Sequence, residues 1–302
     1  MATGDPFFAS VILLLHADGA SGATAFADSS SYANTVTAFG GAQMTTAQVK
    51  FGSSAAIFNG TGAYLSAPPS TNFTFGSGDF CQEAFIYASA NQTSDAILFC
   101  LRNAADGIFD NMVRLSPVGK IGWSDGVEWR ESSGSIPLSQ WVHVAVTRAS
   151  GVVRIFINGV ENYSAYHPVD MVGARVMQIG AFDADGYIPV SGFFDGFLDE
   201  IRITKGLARY TANFTPPTEP FPNASAAYAL SGTVTGSTVS PVARAIRAIR
   251  EDTGAYVGGV ISNATTGAYT IPTEHPGEHT VVAYPVTGEN LPALVHHGVT
   301  PI

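Results

Sequence analysis

The acidic residues are the side chains of this sequence with the clearest capacity for chemistry. Asp199 and Glu200 stand side by side in the run 193-FFDGFLDEIRITKGLARYTANFTPP-217. A glycosidase needs two carboxyl groups that flank the scissile bond, about 5 Å apart in retaining enzymes and farther apart in inverting ones. Neighbouring residues of a regular strand point to opposite faces of the sheet. The pair is therefore not expected to act as a catalytic dyad.

The histidines and serines offer no stronger catalytic pattern. A G-x-S-x-G elbow does not occur, and the seven histidines are spread over several segments. His143 alternates with a valine face and is interpreted as an ordinary polar or interface residue, while His296 and His297 are interpreted as a solvated loop pair. The sequence therefore predicts a protein that is not an enzyme.

Composition favours sheets and turns and excludes two classes of partner. Only 13% of the 302 residues are charged, and the net charge is −10. Such a chain lacks the basic surface that nucleic acids and anionic membranes attract. The apolar run near the N-terminus is too short to span a bilayer, so we expect a buried first strand and no membrane insertion. Cys81 and Cys100 are expected to be buried free thiols, although one disulfide between neighbouring strands stays open.

Short β-rich runs separated by Gly, Asn, Asp, Ser and Pro clusters predict an all-β sandwich. The clearest run, 141-WVHVAVTRASGVVRIFINGVENYSAY-166, predicts three antiparallel strands in a meander. Within it, Asn158-Gly159 is a strong hairpin signal because both residues tolerate a positive φ.

A change of composition marks a domain boundary. The run 214-FTPPTEPFPNASAAYA-229 holds four prolines followed by small residues, and it predicts a semi-extended linker. Five or six short strands follow, among them 242-VARAIRAIRE-251, which could also pass for a helix but is interpreted as a strand. We therefore expect a jelly-roll sandwich over residues 1–222 and a smaller β-sandwich over 223–302.

Several phrases of the first domain together carry a family resemblance. They are LLLHADGA, KFGSSAAIFNGTGAYLSAP, GSGDFCQEAFIY, WVHVAVTRASGVVRIFINGV and FDGFLDEIRITKGLARYTANFTPPTEPFP. With these phrases, the first domain closely resembles the laminin-G-like (concanavalin A-like) jelly-roll modules of bacteriophage tail and other virion proteins. The second domain resembles a small immunoglobulin- or transthyretin-like sandwich. The resemblance implies a component of the virion.

The resemblance also raises the two kinds of site that such modules carry. Hydrolases of this fold present E-x-D-x-x-E on one strand, and that pattern is absent from the sequence. Laminin-G-like modules often bind calcium at a loop rim, through carboxylate and carbonyl oxygens. Here Asp18, Asn59 and Asp199 are the candidate calcium ligands, if the first and last strands are neighbours. The alternative is that these side chains cap turns.

A sugar-binding site would place aromatic rings beside polar side chains, because sugars have apolar CH faces and hydroxyl edges. The candidate ligand-binding residues are Asp183, Asp185 and Tyr187 in one acidic loop, together with Trp129. Trp123 would share a sheet face with Trp129 only if the turn between them keeps register.

The function that this combination favours is adhesion. The protein is expected to be a multi-copy or homo-oligomeric virion subunit of tail, fibre or baseplate that contacts other virion subunits and binds host-surface carbohydrate, with weak contacts strengthened by copy number. A non-adhesive decoration or cement protein of the capsid or tail is the alternative. A glycan depolymerase is a third class, for which the sequence shows no carboxylate pair.

Overall fold

The chain forms two compact units. A computed structural model describes residues 4–89, 92, 94–103, 109–182, 190–225, 228–234, 244–263, 265–273, 277–284 and 294–301. The larger unit is Ala9–Phe221, and the smaller unit combines Met1–Phe8 with Pro222–Ile302. Within the described ranges, no helix has the length and hydropathy that crossing a membrane requires.

The larger unit is built from strands that form two antiparallel sheets. In chain order the strands are β1 Val11–Leu15, β2 Thr37–Phe39, β3 Gln43–Thr45, β4 Ala55–Asn59, β5 Tyr64–Ser70, β6 Phe80–Ala88, β7 Ala96–Asn103, β8 Phe109–Leu115, β9 Lys120–Ser124, β10 Trp129–Ser135, β11 Trp141–Ala149, β12 Val152–Ile157, β13 Val160–Tyr166, β14 Arg175–Ile179 and β15 Asp195–Lys205. An eight-stranded sheet has the order β13-β12-β11-β6-β15-β4-β3, with β1 also paired to β15. A seven-stranded sheet has the order β10-β9-β8-β7-β14-β5-β2.

One apolar core lies between the two sheets, as expected for the predicted sandwich. Strand β11 shows why these residues make it: Val142, Val144 and Val146 enter the core, while His143 and Thr147 alternate with them. The core residues come from strands of both sheets. The all-β sandwich is thus the observed fold of this unit.

Several local predictions are confirmed. Strands β11, β12 and β13 form the antiparallel meander, and the turn between the last two has positive φ at both Asn158 and Gly159. The N-terminal apolar run is strand β1, which is buried along its whole length. Cys81 and Cys100 are buried free thiols.

The central strands of the eight-stranded sheet are buried on both faces. On the face away from the core, the segment that follows β15 folds back over the sheet. The ring of Phe214 stacks on Tyr210 with centroids 3.6 Å apart, and Phe221 is only 3% exposed. The prediction that the linker begins at residue 214 is therefore wrong over 214–221. The two phenylalanines of this proline-rich stretch bury their rings, which holds the extended chain against the sheet.

The smaller unit is also made of strands, and the prediction of strand rather than helix near residue 245 is confirmed. Its strands are β16 Tyr228–Thr233, β17 Ala245–Arg250, β18 Tyr256–Ile261, β19 Ala268–Thr273, β20 His279–Ala283 and β21 Leu294–Val299. β16 pairs with β19, and a four-stranded sheet has the order β18-β17-β20-β21. Leu230, Ile246 and Ile271 lie in its small core. Asp5 joins this unit, since its N–H donates to the carbonyl of Ala224 over 2.8 Å.

Alanine substitutions at two glycines can distinguish the unfolding free energy lost through a positive φ from that lost through a close contact. Both have left-handed backbone, with φ of 77° at Gly159 and 81° at Gly206. A Cβ on Gly159 would lie 1.9 Å from the carbonyl oxygen of Phe214, whereas a Cβ on Gly206 would meet nothing within 4 Å. Gly206→Ala should cost about 1–2 kcal/mol of unfolding free energy. We expect Gly159→Ala to cost at least twice as much, measured by urea denaturation; equal costs would contradict the close packing of the 214–221 segment.

Candidate functional site

A buried carboxylate organises the covered face of the eight-stranded sheet. Glu83 on β6 is fully buried, and its Oε1 accepts a hydrogen bond of 2.9 Å from Nε of Arg202 on β15. Its Oε2 lies 3.1 Å from Nε2 of His143 on β11 and accepts a 2.9 Å bond from the Tyr210 hydroxyl. The network therefore joins three neighbouring strands to the segment that covers them.

The charges of this network are fixed by their surroundings. Burial opposes ionisation of Glu83, but the Arg202 guanidinium and the hydrogen bond with His143 hold the pKa of that carboxyl well below its usual range. Burial and the charge of Glu83 raise the pKa of the Tyr210 hydroxyl. Since Glu83 and His143 have no exposed surface, the network stabilises the fold and is closed to a substrate.

Sequence reasoning missed this network. It treated His143 as an ordinary polar or interface residue, whereas the structure buries it completely beside Glu83. The available signal was a glutamate in the middle of DFCQEAFIYA, an otherwise apolar strand. A charge at such a position is rarely buried without a partner.

Two of the predicted calcium ligands approach one loop, residues 50–54. Asp18 Oδ1 accepts hydrogen bonds from the N–H and the hydroxyl of Ser53, at 2.5 and 3.0 Å. Asp199 Oδ2 accepts the N–H groups of Lys50 and Phe51, at 2.9 and 3.0 Å. Both carboxyl groups thus hold the loop that follows strand β3.

The third predicted ligand, Asn59, caps a different turn. Its Oδ1 accepts the N–H groups of Thr61, Gly62 and Ala63, at 3.1, 3.0 and 3.0 Å. These bonds match the turn-capping alternative that the sequence left open. In the described part of the chain, no group of three or more His, Cys, Asp or Glu residues is placed to hold a metal ion. Calcium binding through these three residues stays a prediction.

The adjacent carboxylates do not follow the alternation of a regular strand. The register of β15 shifts between Asp199 and Arg202, and Glu200 has a φ of 49°. Asp199 accepts the N–H of Phe51, and Glu200 accepts the N–H of Phe221 over 2.8 Å. Both phenylalanine rings pack on Phe85, at 5.1 and 6.3 Å. The expectation that the two carboxylates point to opposite faces is therefore wrong, because the bulge brings both to the Phe85 side.

The bulge brings together a small cluster of titratable side chains: His16, Asp199 and Glu200. Glu200 Oε1 lies 2.8 Å from Nδ1 of His16, and this hydrogen bond raises the pKa of His16. Burial raises the pKa of Asp199 to about 7, although the N–H groups of Phe51 and Lys50 oppose that rise. The cluster is thus set to change protonation near neutral pH.

Trp129 lies in a charged patch at the β10 end of the seven-stranded sheet. The Arg114 guanidinium stacks on its ring, 4.1 Å from the centroid. Arg114 forms ion pairs with Asp95 and, over 3.0 Å, with Glu131. Gly122 leaves room for Arg114 and Trp129 to approach each other, since a Cβ at this position would lie 3.2 Å from both side chains. We call these five residues the Trp129 patch.

The other predicted ligand-binding residues cannot be added to this patch. Asp183, Asp185 and Tyr187 lie outside the described residues. Trp123 does not share a face with Trp129, because Trp129 pairs with Ser124 and Arg130 pairs with Trp123 in the β9–β10 register. Trp123 is fully buried in the core. Of the aromatic pair that the sequence considered, only Trp129 remains available to a ligand.

Removing the buried carboxylate should strongly destabilise the protein. Glu83→Ala would leave the Arg202 charge buried without its counter-ion, which costs about 3–5 kcal/mol of unfolding free energy. Glu161→Ala removes a partly exposed ion pair with Arg154 and should cost less than about 1 kcal/mol. Urea denaturation compares the two variants, and similar losses would contradict the role of the network.

The cluster at the bulge should make the protein less stable as pH rises. Asp199 has a folded pKa of about 7 against an ordinary value of 3.8, so its contribution is fully present below about pH 4 and is lost as pH rises through 7. The raised pKa of His16 acts in the same direction above pH 6.5. We expect the unfolding free energy to fall between pH 4 and 8, and to fall less in Asp199→Asn. An equal slope in both proteins, measured by urea denaturation at each pH, would contradict this origin.

Comparisons with solved structures give distant likenesses. One is to domain 4 of an extracellular arabinanase from Geobacillus stearothermophilus in complex with arabinotriose (20% identity, covering 60% of this chain and 87% of that chain, TM-score 0.45). Another is to a Trypanosoma rangeli sialidase in complex with sialic acid (13% identity, covering 65% of this chain and 31% of that chain, TM-score 0.49). A third is to the receptor-binding domain of botulinum neurotoxin D (11% identity, covering 92% of this chain and 73% of that chain, TM-score 0.49). The match spans less than a third of the sialidase chain. A search of the curated proteins gives no match.

The family comparison is more specific than these distant likenesses. Residues 59–208 match the model of the concanavalin A-like lectin/glucanases superfamily, in its laminin G form. The matched range runs from the end of β4 to just beyond β15 and includes most strands of both sheets. This part of the larger unit therefore matches a concanavalin A-like lectin/glucanase domain over about half of the chain.

Proposed function

We propose that the larger unit is a non-catalytic glycan-binding module and that its ligand contacts the Trp129 patch. The observation that carries the proposal is an indole ring fixed by a stacked guanidinium in a domain of a lectin-containing superfamily. An aromatic ring packs on the apolar CH face of a sugar, while charged side chains beside it bind hydroxyl groups.

The ion pairs of the patch favour binding because they hold its shape before a ligand arrives. Asp95 and Glu131 both hold Arg114, and Lys120 Nζ lies 4.0 Å from Glu131. A platform already fixed by its neighbours loses little side-chain entropy on binding. Asp95 and Glu131 remain partly exposed, with 47% and 33% of their side-chain surface accessible, so they can also accept hydrogen bonds from hydroxyl groups.

Binding is favoured over cleavage by the state of the nearby carboxylates. Asp95 and Glu131 share the cation of Arg114, and Glu83 is sealed under the closing segment. Hydrolysis needs one carboxyl group to give a proton while a second acts on the other side of the bond. Asp95 and Glu131 both pair with the one guanidinium of Arg114, so they serve to hold that cation in place and are not arranged as the acid and base of a hydrolysis.

More specifically, we propose that the protein is a bacteriophage virion subunit that acts as an adhesin for host-surface carbohydrate. Its support is the resemblance of the first domain, together with the phrase from Phe194 to Pro222, to virion modules. Many copies on one particle would multiply a weak contact into firm attachment. Calcium, bound near Asp18, Asn59 and Asp199, would stabilise the rim of such a module.

The test is a glycan-array screen of the full chain, followed by calorimetry with the best glycan. Trp129→Ala should weaken binding by about tenfold or more, because one stacked ring contributes on the order of 1–2 kcal/mol. Tyr166→Ala is the matched control, since this exposed tyrosine lies on β13 of the other sheet. Its affinity should be unchanged.

Two results would contradict the proposal. If glycan binding is unchanged in Trp129→Ala, the glycan binds at a site other than the Trp129 patch. The absence of binding to any arrayed glycan, with and without added calcium, would leave the non-adhesive decoration protein as the better interpretation. Repeating the titration with EDTA tests calcium separately, because loss of affinity with EDTA alone would indicate a required ion.

A further inference from the structure

The smaller unit has an open sheet face that its core does not use. In the four-stranded sheet, Ile246 and Ala248 of β17 point into the core, and Arg247 between them is exposed. The same face of the neighbouring strands is unusually apolar for a surface. Its exposed large side chains are Tyr256 at 64%, Ile261 at 74%, Tyr284 at 36% and Val295 at 51%.

Three of these residues form a row across the strands. Arg247 pairs with Gly259 of β18, where a Cβ would lie 2.9 Å from the Tyr256 hydroxyl and 3.4 Å from Cγ of Arg247. Because Gly259 has no side chain, Tyr256 extends along β18 over this position toward the stem of Arg247. On the other side, the guanidinium of Arg247 lies 5.2 Å from the centroid of the Tyr284 ring. The order of the row is tyrosine, arginine, tyrosine.

An open hollow accompanies this row. It has a volume of about 380 Å³, and its floor and sides come from β17 and β18. That volume lies within the range of small-molecule sites, which is about 300–1,000 Å³. The lining residues are Ala245, Ile246, Arg247, Tyr256, Gly259, Val260 and Ile261.

The charge of Arg247 is unbalanced in this hollow. Among the described residues, no carboxylate lies within ion-pair distance of Arg247. By contrast, Arg250 at the end of the same strand is held by Asp252, with Nη2 2.6 Å from Oδ2. An exposed guanidinium beside aromatic rings is locally complementary to an anionic ligand.

We infer that the Tyr256–Arg247–Tyr284 row is a second binding site, which takes a saccharide that carries a carboxylate. Arg247 pairs with the carboxylate through two parallel N–H groups. The tyrosine rings on either side pack on the CH faces of the sugar rings, and Ile261 covers an apolar edge. This site lies in the smaller unit, so it goes beyond the proposed function of the Trp129 patch and does not depend on it.

Calorimetric titration of the full chain with a hyaluronan tetrasaccharide, which contains glucuronic acid, tests the inference. Arg247→Ala and Tyr256→Ala should each weaken binding about tenfold or more, and Arg247→Lys should weaken it less than Arg247→Ala. Arg250→Ala is the matched control on the same strand and should leave the affinity unchanged. Circular dichroism melts of the variants confirm that each remains folded.

Further arms identify the ligand chemistry. The methyl ester of the same tetrasaccharide should bind at least tenfold more weakly, and inorganic phosphate at equal concentration should not displace the saccharide. Equal binding of the ester, or displacement by phosphate, would overturn a saccharide-carboxylate site. Loss of affinity in Trp129→Ala but not in Arg247→Ala would also overturn it, because the saccharide would then bind the larger unit. A change from dimer to monomer in Tyr256→Ala, measured by light scattering, would show instead that the face is a contact between copies.

Discussion

The buried charge of Glu83 is the constraint on which the larger unit depends. A carboxylate inside a sheet is costly unless it is paired and hydrogen-bonded. Arg202, His143 and Tyr210 meet that requirement together. Because Tyr210 belongs to the segment after β15, satisfying one side chain also fixes the path of the chain across the sheet.

That path decides which surfaces remain available. With Phe214 and Phe221 packed over it, the centre of the eight-stranded sheet is closed on both faces. The Trp129 patch lies on the other sheet, at the β10 end, where an indole and a guanidinium stack in reach of solvent. In this domain the covered face provides stability, and the margin of the second sheet provides the candidate contact surface.

The bulge at Asp199 and Glu200 shows how one backbone angle changes the interpretation of a motif. By the period of two in a strand, adjacent carboxylates separate to opposite faces. The bulge, in which Glu200 has a positive φ, places one extra residue in the strand, and both side chains then accept backbone N–H groups on one side. The pair holds the 50–54 loop and the closing segment, which is a structural role that adjacency alone could not reveal.

The sequence by itself determined the features that local chemistry controls. The alternating valines indicated which face of β11 packs on the core, and Asn158-Gly159 indicated the hairpin turn. The sequence phrases of the first domain indicated the superfamily whose model residues 59–208 match. Trp129 was also predicted as a ligand contact. Tertiary structure decided what depends on residues distant in the chain: Glu83 meets Arg202 across 119 positions, and Arg114 meets Asp95 and Glu131 across 19 and 17. Such partners cannot be inferred from spacing, because sheet register and not sequence separation brings them together.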